Sequence, residues 1–412
     1  MLWRQLREML EPLEKLGTDP KPGLERIKKF MAAIGNPQES YPVILITGTN
    51  GKGSTTAYLS KILQEEGYRV GSFFSPHIVS PCERIRINDE WISEKELVEY
   101  ENFVLKEAEK NPITYWEGLA ALAYQYFKDK KVDYAVVEIL MGGRYDATNV
   151  ANAQVSVITK VDFDHTDMLG ETLDKIAWEK AGIIKGGVAI TAAEYGLSII
   201  KKEAEKAGAR LRSLGYDFFA ETVEITRNGN KFDFLGYEFY KNLETSLVGD
   251  YQITNASLAV AAAEEIGVSE SAIKRGLKET KHFGRMQLLS EKPLVIADGA
   301  HNPDGIGNLV ANLHLYDYEK LAVVFAAKKT KDWRKMISLL APYAHLFITT
   351  EYGSESVNAD ELANEAQKYT KAIVERNLSE ALNKAKRFDA VLICGSLYLL
   401  RAMHEEGVIT LC

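Results

Sequence analysis

PVILITGTNGKGSTTAYLS, residues 42–60, passes from an unbroken apolar run through a glycine-rich turn into a helical pattern. The run at 43–46 is short enough to be a strand buried on both faces. Gly48-Thr49-Asn50-Gly51-Lys52-Gly53-Ser54 follows it. Strand, glycine loop and helix in that order aim successive backbone N–H groups and a helix dipole at an anion. Lys52 adds a full positive charge suited to the outer phosphates of a nucleotide. The loop departs from the usual G-x-x-x-x-G-K-[ST] pattern, because its first glycine falls on Ile46 and Gly53 displaces the hydroxyl to Ser54. An ordinary glycine turn would need neither the lysine nor the hydroxyls. This is a nucleotide site.

A chain of 412 residues is too long for one core and implies two or three domains. Hydrophobic content of 46% and charged content of 26% belong to a globular protein. The net charge of −8 argues against an obligatory nucleic-acid partner but leaves room for an anionic small molecule on a local basic patch. Cys82, Cys394 and Cys412 are widely spaced and odd in number, which excludes a disulfide framework or a zinc knuckle. The opening stretch MLWRQLREMLEPLEKLG has mixed charges beside a helical apolar face, unlike a signal or transit peptide. No run is long enough to cross a membrane. The expected location is the cytoplasm.

Along the chain, helices are expected at 2–16 and 23–34, before the nucleotide strand, and at 52–66, ended by Gly67. A strand at 68–74 ends in Ser75-Pro76-His77, and active residues of open α/β sheets gather outside such carboxyl ends. A turn whose serine and histidine satisfy backbone groups is the alternative. Residues 78–91 hold Arg84 and Arg86 in ERIRIN, which alternates like an exposed strand. They read equally as a basic loop for an acidic substrate or as solvated edge arginines. Helices follow at 94–110 and 115–128. The strand at 132–139 carries Glu138 near its end, where a carboxylate is expensive to bury unless a cation or donors meet it. A fourth strand, 155–158, runs into Asp162-Phe163-Asp164-His165-Thr166, and acids with a histidine at such a place can bind Mg²⁺ or position a nucleophile.

A helix at 173–181 holds Glu179 and Lys180, and a strand follows at 188–191. Between 210 and 247 short alternating strands turn at Asn228-Gly229-Asn230, an antiparallel meander at one edge of the first domain. Helices at 251–266 and 270–278 lead to the linker candidate KHFGR, 281–285. A second α/β unit begins there. Its strand at 294–297 ends in Asp298-Gly299-Ala300-His301-Asn302-Pro303, and strands near 321–325, 346–349, 372–374 and 390–393 alternate with helices. Gly395-Ser396 opens the last helix, a further anion site, while the cluster Lys328 to Lys331 reads as a solvated loop. The expected class is α/β. A P-loop-containing parallel-sheet ATPase domain with a small antiparallel meander occupies 1–284, and a Rossmann-like α/β domain occupies 285–412.

Five stretches, ITGTNGKGS, SPHIVSPCERIRIN, VVEILMGGRYDATNV, DHTDMLGETLDKIAWEKAGIIK and ADGAHNPDG, with a weaker sixth, CGSLYLL, together resemble the folylpolyglutamate synthase family. Its close relatives include dihydrofolate synthases, within the Mur-ligase superfamily. The ordered set covers almost the whole chain. The resemblance implies ATP-dependent amide formation, in which a carboxylate takes the γ-phosphoryl group and an amino acid's amine attacks the acyl phosphate. It implies phosphates held by Thr49, Asn50, Gly51, Lys52, Gly53 and Ser54, and Mg²⁺ held by Ser75, Glu138 and His165. Imidazole is an unusual ligand for so hard an ion.

Lys180, by its position in WEKAGI, is the family's carbamylated lysine; read alone it is an ordinary helix lysine, with Lys185 a rival. Asn255, Arg285 and Asp298 resemble the family's nucleotide contacts. His301 and Ser396 map to the amino-acid side, Arg84 to substrate binding, and Asp146 to an acid that helps accept the amine's proton. Three departures stand out: LMGGRY where relatives have GLGGRL, His282-Phe283 for their Trp-Pro, and a loose Lys-Asp signature in KKTKDW. The implied activity adds L-glutamate to the γ-carboxyl of a reduced folate with MgATP in a monomeric enzyme. Two other readings remain open at this stage: an enzyme that also condenses dihydropteroate with glutamate, and a nucleotide-dependent switch without ligase chemistry.

Overall fold

The computed structural model describes residues 10–18 and 23–411; most of the helix expected at 2–16, and Cys412, lie outside the described residues. In chain order the first elements are α1 (Glu11–Glu14), α2 (Glu25–Ala33), β1 (Val43–Thr47), α3 (Lys52–Glu65), β2 (Val70–Phe73), β3 (Ile85–Ile87) and β4 (Glu90–Trp91). Then come α4 (Glu94–Ala108), α5 (Tyr115–Asp129), β5 (Tyr134–Glu138), β6 (Ala153–Ile158), α6 (Thr166–Leu169), α7 (Leu173–Ala181) and β7 (Val188–Thr191). They continue with α8 (Leu197–Ala207), β8 (Arg210–Ser213), β9 (Phe219–Thr226), β10 (Gly229–Leu235), β11 (Phe239–Thr245), α9 (Tyr251–Ile266) and α10 (Glu270–Glu279). The remainder is β12 (Gln287–Glu291), β13 (Leu294–Ala297), α11 (Pro303–Asn312), β14 (Leu321–Phe325), α12 (Trp333–Leu340), β15 (Leu346–Thr349), α13 (Ala359–Ala366), β16 (Ala372–Val374), α14 (Leu378–Ala385), β17 (Ala390–Cys394) and α15 (Leu397–Glu405).

The chain divides into two compact units. The first runs to Val223 and includes Lys231–Ser246 and Gln252–Thr280; the second takes Glu224–Asn230, Leu247–Tyr251 and everything from Lys281. In the first, an eight-stranded sheet has the order β4-β3-β2-β5-β1-β6-β7-β8. From β2 to β8 the neighbours pair in parallel, while β3 and β4 turn back antiparallel. Every residue of β1 is buried, which is why its run shows no alternation. Capping boxes at Ser93 with Glu96, and at Thr114 with Glu117, start α4 and α5 by satisfying amides that no helical carbonyl reaches.

The meander expected across 210–247 starts only at Phe219. Residues Arg210–Ser213 form β8, parallel to β7, and β9 to β11 make a separate three-stranded sheet in the order β11-β10-β9. Arg212 is buried, because Glu264 and Glu265 on α9 meet its guanidinium at 2.8 and 2.9 Å.

In the second unit, six strands lie in the order β12-β13-β17-β14-β15-β16. Only the β12–β13 pair is antiparallel, and β12 is an edge strand that the sequence pattern did not signal. Helices α11, α12 and α13 pack against one another in succession, while α14 contacts β14, β15 and β17, and α15 contacts β17. The last strand, β17, is inserted between β13 and β14, so the carboxyl ends of strands far apart in sequence become neighbours. Among the described residues no helix is long and apolar enough to cross a membrane.

Arg212 has 3% of its side chain exposed, Glu264 2% and Glu265 7%. Arg212→Leu leaves the Glu264 carboxylate buried without its cation, and Glu265 with Arg210 alone. It is expected to destabilise the first unit by roughly 3–5 kcal/mol, read as a lower urea midpoint by circular dichroism; an unchanged midpoint would show that the acids find other donors.

Candidate active site

Parallel pairing brings four carboxyl ends to one edge of the first sheet. Phe73 of β2 pairs with Val137, Ile46 of β1 with Glu138, and Thr47 with Ile158 of β6. The segments that leave this edge are therefore Ser75 to His77, Glu138 onward, the glycine loop, and Thr159 to His165. Residues more than a hundred positions apart are gathered by register alone.

The glycine loop is fastened on both sides. Thr159 donates from its hydroxyl to the Asn50 carbonyl at 2.6 Å, and the Thr49 amide donates to the Lys160 carbonyl at 2.8 Å. The Thr49 hydroxyl donates to the Asp162 carbonyl at 2.9 Å and accepts from its amide at 3.0 Å. On the other side the Thr47 hydroxyl donates to the Gly142 carbonyl at 2.6 Å. Thr47 and Thr159 were not singled out in the sequence; a threonine at a strand's end is too common to be a signal.

Two glycines are dictated by this closeness. A Cβ on Gly48 would fall 1.8 Å from Thr159 Oγ1, and one on Gly51, at φ +90°, would fall 2.2 Å from Asn255 Oδ1. Asn255 is held in turn by donating from Nδ2 to Gln252 Oε1 at 3.0 Å. Gly51 is the N-cap of α3, so the amides of Lys52, Gly53 and Ser54 have no intrahelical acceptor. The Lys52 ammonium folds back to donate to the carbonyls of Gly48 at 3.0 Å and Thr49 at 3.4 Å.

Glu138 is buried, and its Oε2 accepts from the Ser75 amide at 2.9 Å. Arg84 is buried too, which excludes a solvated edge arginine. It donates from Nη1 to Ser75 Oγ at 3.3 Å and from Nε to His77 Nδ1 at 2.8 Å. Glu83 folds the same loop by accepting from the amides of Ile78, Val79 and Ser80 at 2.6, 2.8 and 3.3 Å. Arg86 instead lies 4.4 Å from the centre of the Phe74 ring, and burial pushes its pKa down. His165 stands at the head of α6 in the left-handed region, φ +48°, with 43% of its side chain exposed and Nε2 3.9 Å from Asp164 Oδ2. Among the described residues, no group of three or more His, Cys, Asp or Glu side chains converges as a metal cage would.

Lys180 is buried on α7. Its pKa is pushed down to about 7, first by burial and then by the charge of Lys52, against the opposing pull of Asp164 and Glu179. The loop after β5 lies against this helix because Gly143 has no side chain: a Cβ there would come within 2.8 Å of the Glu179 carbonyl and 2.9 Å of the Lys180 carbonyl. Lys185 is pushed down to about 8 by burial, but its ammonium donates to the carbonyls of Asn149 and Ala151. Asp146 is buried with one oxygen accepting from the amide and hydroxyl of Thr148, at 2.9 and 2.6 Å, and the other from the Met141 amide at 2.8 Å. Burial raises its pKa against the pull of those donors.

In the second unit the carboxyl ends of β13 and β17 carry the remaining candidates. Asp298 accepts from the amides of Met286 and Ala300, each at 2.7 Å; burial raises its pKa and Arg285 opposes the rise. A Cβ on Gly299 would come within 2.8 Å of Arg285 Nη1, which donates to the Gly284 carbonyl at 3.1 Å. His301 Nδ1 lies 2.9 Å from the Gly299 carbonyl. The Gly395 amide donates to the Ala300 carbonyl at 3.0 Å, which sets Ser396 beside the His301 segment. Ser396 is buried and caps α15, accepting from the Tyr398 amide at 3.1 Å. A cavity of about 440 Å³ in this unit, lined by Lys329, Trp333, Arg334, Glu351 and Asn358 among others, includes none of these candidates.

Residues 46–263 match the Mur ligase middle domain, and residues 284–397 match the Mur ligase glutamate ligase domain. A dihydrofolate synthase/folylpolyglutamate synthase of Bacillus subtilis is 35% identical over 411 residues, covering 94% of this chain and 95% of the relative. Mycobacterium tuberculosis folylpolyglutamate synthase complexed with ADP superposes with a TM-score of 0.92 at 29% identity, covering 100% of this chain and 99% of that one. Escherichia coli FolC in complex with DHPP and ADP superposes with a TM-score of 0.90 at 30% identity, covering 97% of each chain.

Gly51→Ala forces a methyl group onto Asn255 in a backbone region that L-residues avoid. ADP affinity, measured by calorimetry on the folded variant, is expected to fall by roughly tenfold or more, and the strain lowers stability by roughly 1–3 kcal/mol. Wild-type affinity would mean that nucleotide does not bind at this turn.

Proposed function

The chain belongs to the folylpolyglutamate synthase/dihydrofolate synthase family of Mur ligases, and from that membership we propose that it joins L-glutamate to the γ-carboxyl of a reduced folate at the expense of ATP. The observation that carries this reading is the fastened glycine loop beside Glu138 and the buried Lys180, with matching motifs over the rest of the chain. The chain also condenses dihydropteroate with glutamate in a second reading, favoured by relatives whose names join both activities and by the DHPP bound to Escherichia coli FolC. A switch without ligase chemistry has no use for the Asp298–His301 segment. As the resemblance implies, the chain works as a monomer in the cytoplasm on small-molecule substrates.

In the first step an oxygen of the folate carboxylate attacks the γ-phosphorus and ADP leaves. In the second, the amine of glutamate attacks the acyl carbon, the C–N bond forms, and phosphate leaves with the acyl-bound oxygen. Phosphoryl transfer asks a protein mainly for position and charge. The amides of Gly51, Lys52, Gly53 and Ser54, with Thr49 and Asn50 behind them, hold the outer phosphates. Lys52 exchanges its own loop carbonyls for phosphate oxygens, and Asn255 keeps the turn in place. Magnesium fits the hard oxygen donors of Glu138 and Ser75, with His165 as the third ligand; when bound it supplies neutralising charge on the phosphates. Arg285 and Asp298 serve the nucleotide, while Ser396 and His301 receive and orient the incoming glutamate.

Two assignments implied by the resemblance change in this reading. Asp146 has both oxygens taken by its own loop, so it positions that loop rather than accepting the amine's proton. Arg84 acts through Ser75 and His77, which it holds, rather than on the substrate. Lys180 is the lysine that takes up carbon dioxide. With a pKa near 7 it keeps a large neutral fraction at physiological pH, and only the neutral amine can add CO₂.

Radiolabelled glutamate is expected to enter product with tetrahydrofolate and MgATP, and with dihydropteroate if the second activity is present. ADP formation without incorporation would reject the ligase reading. Lys52→Ala is expected to lower turnover by roughly 10²–10³-fold with the fold intact. Lys180→Ala is expected to lose activity that bicarbonate or short carboxylates partly restore. In the wild type, a carbamate signal from ¹³C-bicarbonate should grow as pH rises through about 7, where the Lys180 amine becomes neutral. Its absence, or its persistence in Lys180→Ala, would reject the assignment.

A further inference from the structure

Leu97, Glu101, Val104 and Ala108 are the buried residues of α4, spaced as one helical stripe. Three of them belong in a core, and Glu101 does not. It is 2% exposed, and the residues one turn to either side, Leu97, Val98, Val104 and Leu105, are all apolar. A carboxylate in such a place is costly unless a cation or donors meet it. Among the described residues no cation pairs with it. A backbone amide meets it instead: Leu13 of α1 donates to Glu101 Oε1 at 3.2 Å.

The short helix α1 needs that acceptor. Its N-cap, Leu10, offers no side-chain acceptor, and amides of a first turn find no carbonyl within their own helix. Glu101 therefore caps α1 from another element, and Leu10 and Leu13 are buried in the docked segment. Two further bonds fasten the same stretch of chain. The Gly17 carbonyl accepts from the Tyr115 amide at 3.0 Å, and the Thr18 carbonyl accepts from the Trp116 indole at 2.8 Å. Of these three fasteners Glu101 alone titrates.

Charged neighbours do not set its protonation. On α1, Glu11, Glu14 and Lys15 are exposed. On α5, Glu117 is taken by Arg26 of α2 at 3.2 Å and by the Thr114 amide at 2.8 Å. Burial pushes the Glu101 carboxyl up from its ordinary 4.5 to about 7, against the pull of the Leu13 amide.

We propose that Glu101 is a proton-operated latch, whose neutral carboxyl holds residues 10–18 against α4 and α5 and whose ionisation loosens them. The docked form has the higher pKa, so docking takes up a proton. It is strongest below about 4.5, weakens as pH rises toward about 7, and levels off above that. The latch is separate from the ligase chemistry and does not depend on it.

Hydrogen exchange on the full chain, corrected for the intrinsic pH dependence of amide exchange, reads the latch directly. Protection of the Leu13 amide should fall roughly tenfold or more between about pH 5 and about pH 8 in the wild type. Glu101→Gln keeps the acceptor but cannot ionise, and its Leu13 protection should stay level over the same range. Amides of β5 serve as the reference in each sample and should show no such difference between the two proteins. Trypsin cleavage after the exposed Lys15 gives a second measure: the ratio of wild-type to Glu101→Gln rates should rise with pH. A wild-type Leu13 protection that does not change with pH would overturn the proposal. So would an equal fall in Glu101→Gln, which would place the titrating group elsewhere.

Discussion

Threonine hydroxyls at strand ends hold this active site in shape. A loop with glycines at 48, 51 and 53 has little conformational preference of its own. Its geometry must be imposed from outside, and Thr47, Thr49 and Thr159 impose it through short bonds to the segments that leave β5 and β6. Those bonds are possible only because β1 lies between β5 and β6 in parallel register. Sheet order therefore comes first, and the anion-binding turn follows from it. The glycines then serve a second purpose, since side chains at Gly48 or Gly51 would collide with Thr159 or Asn255, the groups that keep the turn in place.

The same crowding sets the electrostatics. Bringing Lys52 and Lys180 to one strand edge puts two cations in a buried setting, and the structure relieves this in two ways. Lys52 leans on the carbonyl oxygens of Gly48 and Thr49, while Lys180 loses basicity until its neutral form is accessible near pH 7. Asp164 and Glu179 soften the repulsion without cancelling it. A site so arranged welcomes added negative charge, because phosphate oxygens would satisfy Lys52 and an anionic adduct would remove the cation at Lys180.

Much of the architecture is legible in the residues. The strands at 43–47, 188–191, 294–297 and 346–349 stand where apolar runs predict them, and the strand-end polar clusters do lie along two sheet edges. What misled the pattern was burial of charge. Arg84 read equally as a substrate-loop or a solvated arginine and Arg212 was not singled out, yet both are inside because polar partners meet them: Ser75 and His77 for one, Glu264 and Glu265 for the other. Hydrophobic periodicity carries no information about such pairs, since it scores every arginine as outward-facing. Thr47 and Thr159 were equally invisible, for a residue at a strand end becomes a fastener only when the neighbouring strand is known.

A distinction between two kinds of buried polar group runs through the first unit. Asp146 and Glu83 accept hydrogen bonds from backbone amides close to them, and each fixes the course of a loop. Such groups resemble catalytic acids in sequence, because they occupy the same strand-end loops, but their lone pairs are already engaged. The groups fit for chemistry have capacity left: the first amides of α3 and the depressed amine of Lys180. Hydrogen-bond saturation thus separates the residues that build these loops from those that await a ligand, and it does so without reference to residue type. By that criterion the loop after β5 is scaffold around Asp146, held by the Thr148 and Met141 amides.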